Sequence, residues 1–147
     1  MPNNSLNSHL SEPRIAVTSS SFGKSKVLKE ELKKSFQNCF FNELGRPLTE
    51  LEMIEFIKDA DAAVVGTEIM TENVLNHAPR LKIISKYGVG LDNIDKNLLE
   101  KCGTLLDLTG GVNRRSVAEL TLCFMLGLCQ NIFAAGFKLK QSTLEKK

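Results

Sequence analysis

What this sequence has little of narrows it first. Its 147 residues contain two histidines and four cysteines, Cys39, Cys102, Cys123 and Cys129, with no CxxC pair among them. A zinc centre needs closely spaced thiols with histidine nearby. His9 and His77 stand far from any such pair, so no metal site is expected. Each cysteine lies in or beside an apolar segment, the pattern of core thiols kept reduced in a cytoplasm. Charge of one sign is also scarce: 19 Lys and Arg against 17 Asp and Glu leave a formal +2. With no basic stripe interleaved with aromatics, the chain lacks the electrostatic footprint of a nucleic-acid binder. The longest apolar run, Val117–Leu128, is interrupted by Glu119, Thr121 and Gly127, and it falls short of the roughly 20 residues of a membrane span. Residues 1–13, MPNNSLNSHLSEP, have no apolar h-region and read as a disordered leader rather than a signal peptide. No internal repeat or low-complexity segment is present.

What is there is an alternation of strand and helix signals, repeated five times. RIAVTS, NCFFNE, DAAVVG, LKIIS and TLLDLT read as strands. Between them, KVLKEELKKSF, LTELEMIEFIKDA, TENVLNHA and NIDKNLLEKCG read as helices. Thr49 and Glu52 are spaced as a capping box, Asp95 or Asn93 caps the fourth helix, and Gly103 ends it. The first, third and fourth strands are nearly continuous apolar runs, which predicts burial on both faces and a parallel sheet with helices on each side. The expected fold is therefore an α/β, doubly wound, five-stranded parallel sheet over residues 14–113. Ligands of such sheets sit outside the carboxyl ends of the strands. Those ends carry TSSSFGKS, VGTE, KYGVG and LTGGVN, each with a glycine where backbone can turn or be approached.

Two of these ends are candidates for chemistry. TSSSFGKS ends like a phosphate-binding P-loop, but Thr18 stands where that pattern demands glycine. It reads better as a polar turn with a serine cap. In KYGVG, the amides of Gly88, Val89 and Gly90 can converge on one point and receive a carboxylate or phosphate, with Lys86 as a positive rim; the tripeptide alone reads as readily as a plain βα turn. In GGVNRRSVAE, Asn113 offers an amide that both donates and accepts.

The run SVAELTLCFMLGLCQNIF is apolar all the way round, although a surface helix should show one polar face. It predicts one long helix within residues 114–136, capped by Ser116 with Glu119. One side of it must meet another domain or a second subunit along 116–133. The polar residues 137–147 then read as the start of a linker.

SKYGVGLDNID and GGVNRRSVAELTLCFMLGLCQNI, with VVGTEIMTENVLNHAPRLKIIS upstream, resemble the D-isomer-specific 2-hydroxyacid dehydrogenase family, in its phosphoglycerate dehydrogenase-like branch. The resemblance runs from about Arg14 onward. It implies a flavodoxin-like catalytic, substrate-binding domain, a small 2-hydroxy or 2-oxo acid as substrate and NAD as cofactor. It implies substrate contacts at Gly88, Val89 and Gly90, a cleft-facing Asn113, and Val89 and Asn113 near the cofactor. The long helix would cross toward a Rossmann domain. Two departures stand beside it. Val65-Gly66 occupies the place where phosphoglycerate dehydrogenases often carry an Arg-Ser pair, so a phosphorylated substrate is not implied. No G-x-G-x-x-G follows, nor the catalytic Arg, Glu and His that come after it in the family. The expectation is a chain that is inactive alone, lacking the NAD-binding part. A stand-alone ligand-binding or regulatory module of the same fold is the competing reading, although a phospho-receiver would need an acidic cluster that VTSSS does not supply.

Overall fold

The computed structural model of the protein describes residues 12–141. Residues 1–11 of the expected leader and 142–147 of the expected linker lie outside the described residues. The chain divides into two units, Met1–Gly110 and Gly111–Lys147.

The first unit opens with β1 (Ile15–Val17), α1 (Ser20–Lys24), α2 (Lys26–Ser35), β2 (Cys39–Phe41) and α3 (Glu50–Ile57). It continues through β3 (Ala62–Val65), α4 (Glu72–Asn76), β4 (Ile83–Lys86), α5 (Lys96–Lys101) and β5 (Leu105–Asp107). The five strands form one parallel sheet in the order β2-β1-β3-β4-β5. That order is the flavodoxin-like member of the doubly wound class, with the chain reversing direction across the sheet between β1 and β3. Helix starts follow their caps: Thr49 and Glu52 close the predicted capping box on α3, Thr71 caps α4, and Asp95, not Asn93, caps α5.

Register separates the two faces of the sheet. Ala16, Phe40, Ala63, Ile84 and Leu106 are paired neighbours and point one way. Met53 and Ile57 of α3, Val74 and Leu75 of α4, and Leu99 of α5 pack on that face as the core. The other face differs from expectation. Near β1 and β2, α2 lies over it, with Lys29 and Lys33 set above the Phe41 ring. Burial then falls away across the sheet. Ile15 is buried, Ala62 and Ile83 are half-buried, and Leu105 is 68% exposed. A shallow groove of about 350 Å³ runs past Pro13, Ile15, Phe36, Ala62 and Ile83 on this side. Apolar strand runs therefore signalled a sheet built for cover on both faces, while the first unit covers one face across its central strands, with Phe40 and Leu106 half-buried at the edges, and the other only at its β1–β2 end.

The second unit is a bent helical pair, α6 (Arg114–Cys129) and α7 (Ile132–Lys140). The single helix predicted through Phe133 is broken at Gln130–Asn131, where Asn131 takes a left-handed φ of 54°, and the axis turns by 73°. Asparagine tolerates that conformation because its short polar side chain can bond locally. Phe133 folds back beside Phe124, with ring centroids 5.9 Å apart, and lies so close over Gly127 that a Cβ there would run into the ring. Ser116 does not cap: the N-cap is Asn113, three residues earlier, and α6 starts at Arg114. Residues 137–140 of the expected linker are helical. No single described helix is long and apolar enough to cross a membrane.

The cysteines also depart from expectation. Cys39 is half-buried, its thiol donating to the Phe36 carbonyl, and Cys102, Cys123 and Cys129 are exposed free thiols. Cys102 sits at the open C-terminal end of α5, and the other two lie on α6, whose apolar faces are uncovered.

Candidate functional site

The carboxyl ends of the strands are joined by a continuous string of polar side chains. At the end of β2, Asn42 is buried; its amide donates to the carbonyls of Thr18 and Arg46, both at 2.8 Å, and its Oδ1 accepts from the Leu44 amide. At the end of β1, the buried Thr18 hydroxyl lies 3.2 Å from the Val64 carbonyl and donates to Glu68 Oε2 at 3.1 Å. Glu68 follows β3 and is 3% exposed; the same oxygen accepts from the Gly66 amide at 2.9 Å. Gly66 is required by packing. A Cβ there would stand 2.9 Å from Ser19 Oγ and 3.3 Å from Glu68 Oε2. The string reaches β4 through Lys86, whose ammonium donates to the Gly66 carbonyl and to Asn93 Oδ1 at 3.0 Å. Asn93 completes it, donating through Nδ2 to the Gly66 and Glu68 carbonyls. A Met70–Ile94 bridge and the Met70 amide bond to the Asn93 carbonyl tie the same two loops through the backbone.

Lys86 is therefore drawn inward rather than set as a charged rim. Burial lowers its pKa from the ordinary lysine range, against the opposing pull of Glu68 and Asp92. The two hydrogen bonds explain why it tolerates partial burial: an ammonium that keeps its acceptors loses less on leaving water.

Gly88, Val89 and Gly90 form the turn that follows Lys86. Gly88 has φ of +130°, a conformation open to glycine at little cost. Tyr87 holds the base of the turn, its amide bonding the Val65 carbonyl at 2.8 Å and its ring meeting Phe22 of α1 edge-on at 5.3 Å. Among the described residues, the amides of Gly88, Val89 and Gly90 have no acceptor. Asp92 lies beside them, with Oδ2 3.4 Å from where a Cβ on Gly90 would be. The three glycine-turn residues are thus together at one strand end. Asn113 lies in the second unit, exposed, at the start of α6, and its side chain makes no cap bond.

Sequence reasoning named the turn but missed most of the string behind it. Thr18 and Glu68 stood in the quoted strand ends TSSSFGKS and VGTE, and Asn93 was weighed only as a helix cap. A carboxylate two residues after a strand-ending glycine, within reach of a lysine one strand over, was the available signal. TSSSFGKS itself closes into α1. Ser19 caps α1, Ser25 caps α2, and Gly23 lies against the backbone, where a Cβ would be 2.8 Å from the Asn42 carbonyl. That is the polar capped turn and not a phosphate cradle. No cluster of metal-ligating side chains occurs among the described residues.

Sheet order defines a flavodoxin-like α/β domain, with the glycine turn after β4 and the polar string at the carboxyl ends of its strands. The family described as D-isomer specific 2-hydroxyacid dehydrogenase, catalytic domain, matches residues 15–146, and the chain belongs to that family. It is 37% identical over 122 residues to D-3-phosphoglycerate dehydrogenase of Methanocaldococcus jannaschii, covering 82% of this chain and 23% of the relative. It is 35% identical over 97 residues to hydroxypyruvate reductase of Thermotoga maritima, covering 65% of this chain and 32% of the relative. The crystal structure of NAD+-bound 3-phosphoglycerate dehydrogenase of Entamoeba histolytica superposes with a TM-score of 0.69 at 25% identity, covering 80% of this chain and 39% of that one. The chain thus spans well under half the length of these relatives.

Proposed function

We propose that this chain is the substrate-binding part of an NAD-dependent D-2-hydroxyacid dehydrogenase. The observation that carries the reading is the turn after β4: three successive amides without acceptors among the described residues, at a strand carboxyl end, in a chain of this family. Their role is to receive the carboxylate of a small 2-hydroxy or 2-oxo acid, as backbone nests do. Because the string from Asn42 to Asn93 holds the turn from behind, the carboxylate meets donors already in place. Placement of this kind lowers a barrier by fixing the reacting carbon before chemistry starts. By the family resemblance, Asn113 at the start of α6 is assigned a further substrate-binding role, and Val89 and Asn113 a cofactor-binding one.

The residues present do not fit a dinucleotide by themselves. The glycine-containing loop after β1 packs against Asn42, and its Ser19 and Ser25 hydroxyls cap helices. NAD would be held by a Rossmann domain outside these residues, which would also bring the acid–base groups. That domain, or a second subunit, covers the apolar residues of 116–133. The four free thiols suit a reducing cytoplasm.

The purified chain is expected to show no NADH oxidation with any 2-oxo acid, while glyoxylate shifts the amide resonances of residues 86–92. Gly90→Val should abolish those shifts. Turnover that survives Gly90→Val, or shifts that leave 86–92 untouched, would overturn the reading.

A further inference from the structure

A groove of about 500 Å³ runs along the edge strand β2, past Phe40, Phe41, Leu44, Leu48 and Phe56. β2 ends the sheet order, so one of its sides meets no other strand among the described residues. The Ile15 amide bonds the Asn38 carbonyl, and the Asn42 amide bonds the Val17 carbonyl. In a parallel ladder of this register Phe40 turns its backbone groups toward β1, while Cys39 and Phe41 turn theirs to the outer edge. Those outer amides and carbonyls have no partner among the described residues. Side chains alternate across the sheet as well. Phe40 packs on Phe56, with ring centroids 4.9 Å apart, and carries Arg14 above it. On the other face, Phe41 lies under Lys29 and Lys33. A strand laid along this edge would meet apolar surface on both faces. The charges around the groove nearly cancel. Glu43 is held by Lys29, Glu52 by Arg46, Glu55 by Lys58 and Arg14 by Asp59, and Lys33 adds a cation over the Phe41 ring.

We propose that the free edge of β2 and its groove dock a short, extended, uncharged segment of a partner protein, which joins the sheet as an added strand. Main-chain hydrogen bonds to Cys39 and Phe41 hold the segment, and its alternate side chains fill the Phe40–Phe56 side and the Phe41–Leu44 side. The rim charges select its character. A basic or acidic side chain entering the groove would have to displace an existing ion pair to find a counter-charge, whereas an uncharged one displaces none. The size of the edge decides against a second copy of this chain. Its three residues are far fewer than the roughly 20–30 a side of a stable protein interface, and a short edge is one way a sheet avoids pairing with another sheet. A single peptide segment needs only the outward backbone groups and the groove beside them.

The probe is a capped pentapeptide of alternating valine and threonine, titrated into the full chain and followed by amide NMR. It should shift the amides of residues 39–44. Two further versions, N-methylated at the odd or at the even positions, each lose the donors of one peptide edge. One of them should bind like the parent and the other at least about tenfold more weakly. Cys39→Pro removes an outward amide without touching the ladder to β1, a place where an edge strand tolerates proline. Leu44→Glu sets a carboxylate in the groove at a residue already 57% exposed. Each variant should weaken the parent peptide at least about tenfold, and Leu44→Glu should keep the wild-type urea midpoint, which preserves the test if Cys39→Pro folds poorly. Equal binding by both methylated versions would show a greasy pocket without strand pairing and overturn the proposal, as would shifts that miss residues 39–44. A dimer that Cys39→Pro alone dissolves would give the edge to a second copy and overturn it too.

Discussion

Asn93 joins two loops with one short side chain. Its amide group donates to the Gly66 and Glu68 carbonyls, and its oxygen accepts from Lys86. A buried or half-buried polar group that loses its partner costs its full desolvation, about 1–3 kcal/mol, which exceeds the net gain of making the bond. Asn93→Ala should therefore destabilise the chain by about 2 kcal/mol, seen as a lower urea midpoint at unchanged slope. Asn93→Asp should cost more, since a carboxylate would face two carbonyls and stand near Glu68. An alanine variant within about 0.5 kcal/mol of wild type would mean that solvent replaces the strap. Much of this residue-scale picture was hidden in the sequence. Asn93 is a residue type that caps helices, and only the proximity of the β3 and β4 loops in space gives its amide two carbonyls to bind.

The start of α3 shows an element held by local sequence. Thr49 accepts from the Glu52 amide while Glu52 accepts from the Thr49 amide at 2.8 Å, and Arg46 grips the same carboxylate with two nitrogens at 2.6 and 2.8 Å. The Arg46 hydrogen bonds first, then those from Thr49, hold the Glu52 carboxyl down from 4.5 to about 2. A carboxylate whose pKa is depressed by folding contributes stability that is present above its unfolded value and lost as pH falls through its folded value. The contribution of this cap should be complete above pH 4.5 and fade toward pH 2. Acid titration of stability followed by circular dichroism should show a shallower loss over that window in Glu52→Gln, and an unchanged profile would count against the cap. The capping box was legible because all its parts lie within four residues. The break between α6 and α7 was not. Apolar residues continue through it, and the left-handed Asn131 and the Phe133 ring over Gly127 are decided by how the two helices fold back on each other.

At the scale of the molecule, two apolar surfaces lack cover. Along α6, Leu122, Met125, Leu126 and Leu128 are 58–71% exposed, and on the sheet the far face opens toward Leu105. Burying apolar area stabilises by about 25 cal/mol per Å², so several large side chains left in water forgo several kcal/mol. Against a typical stability of about 5–15 kcal/mol, that is a strong drive to associate. The chain should form dimers or larger species at micromolar concentration in sedimentation experiments. Leu126→Gln with Leu128→Gln should restore a monomer without altering the sheet. Phe124 is the poorer choice for such a change because its ring packs against Phe133. A wild-type monomer with strong amide protection along α6 would show that the helix needs no partner.

Local patterns were enough for the sheet. Short apolar runs separated by capped amphipathic helices leave a parallel, doubly wound arrangement as the way to bury both strand faces, and the glycine turn after β4 is written contiguously in KYGVG. The same local reasoning placed the cap of α3 and narrowed that of α5 to Asp95 or Asn93. What only the tertiary structure decided depends on residues far apart in the chain. Thr18, Glu68, Lys86 and Asn93 become one hydrogen-bonded string because the β1, β3 and β4 ends lie side by side. Lys86 points inward because acceptors from another loop wait there. Cys102, Cys123, Cys129 and the β5 end of one sheet face are exposed because apolarity in a sequence records that a surface is meant to be covered, whereas burial requires that the covering atoms be present.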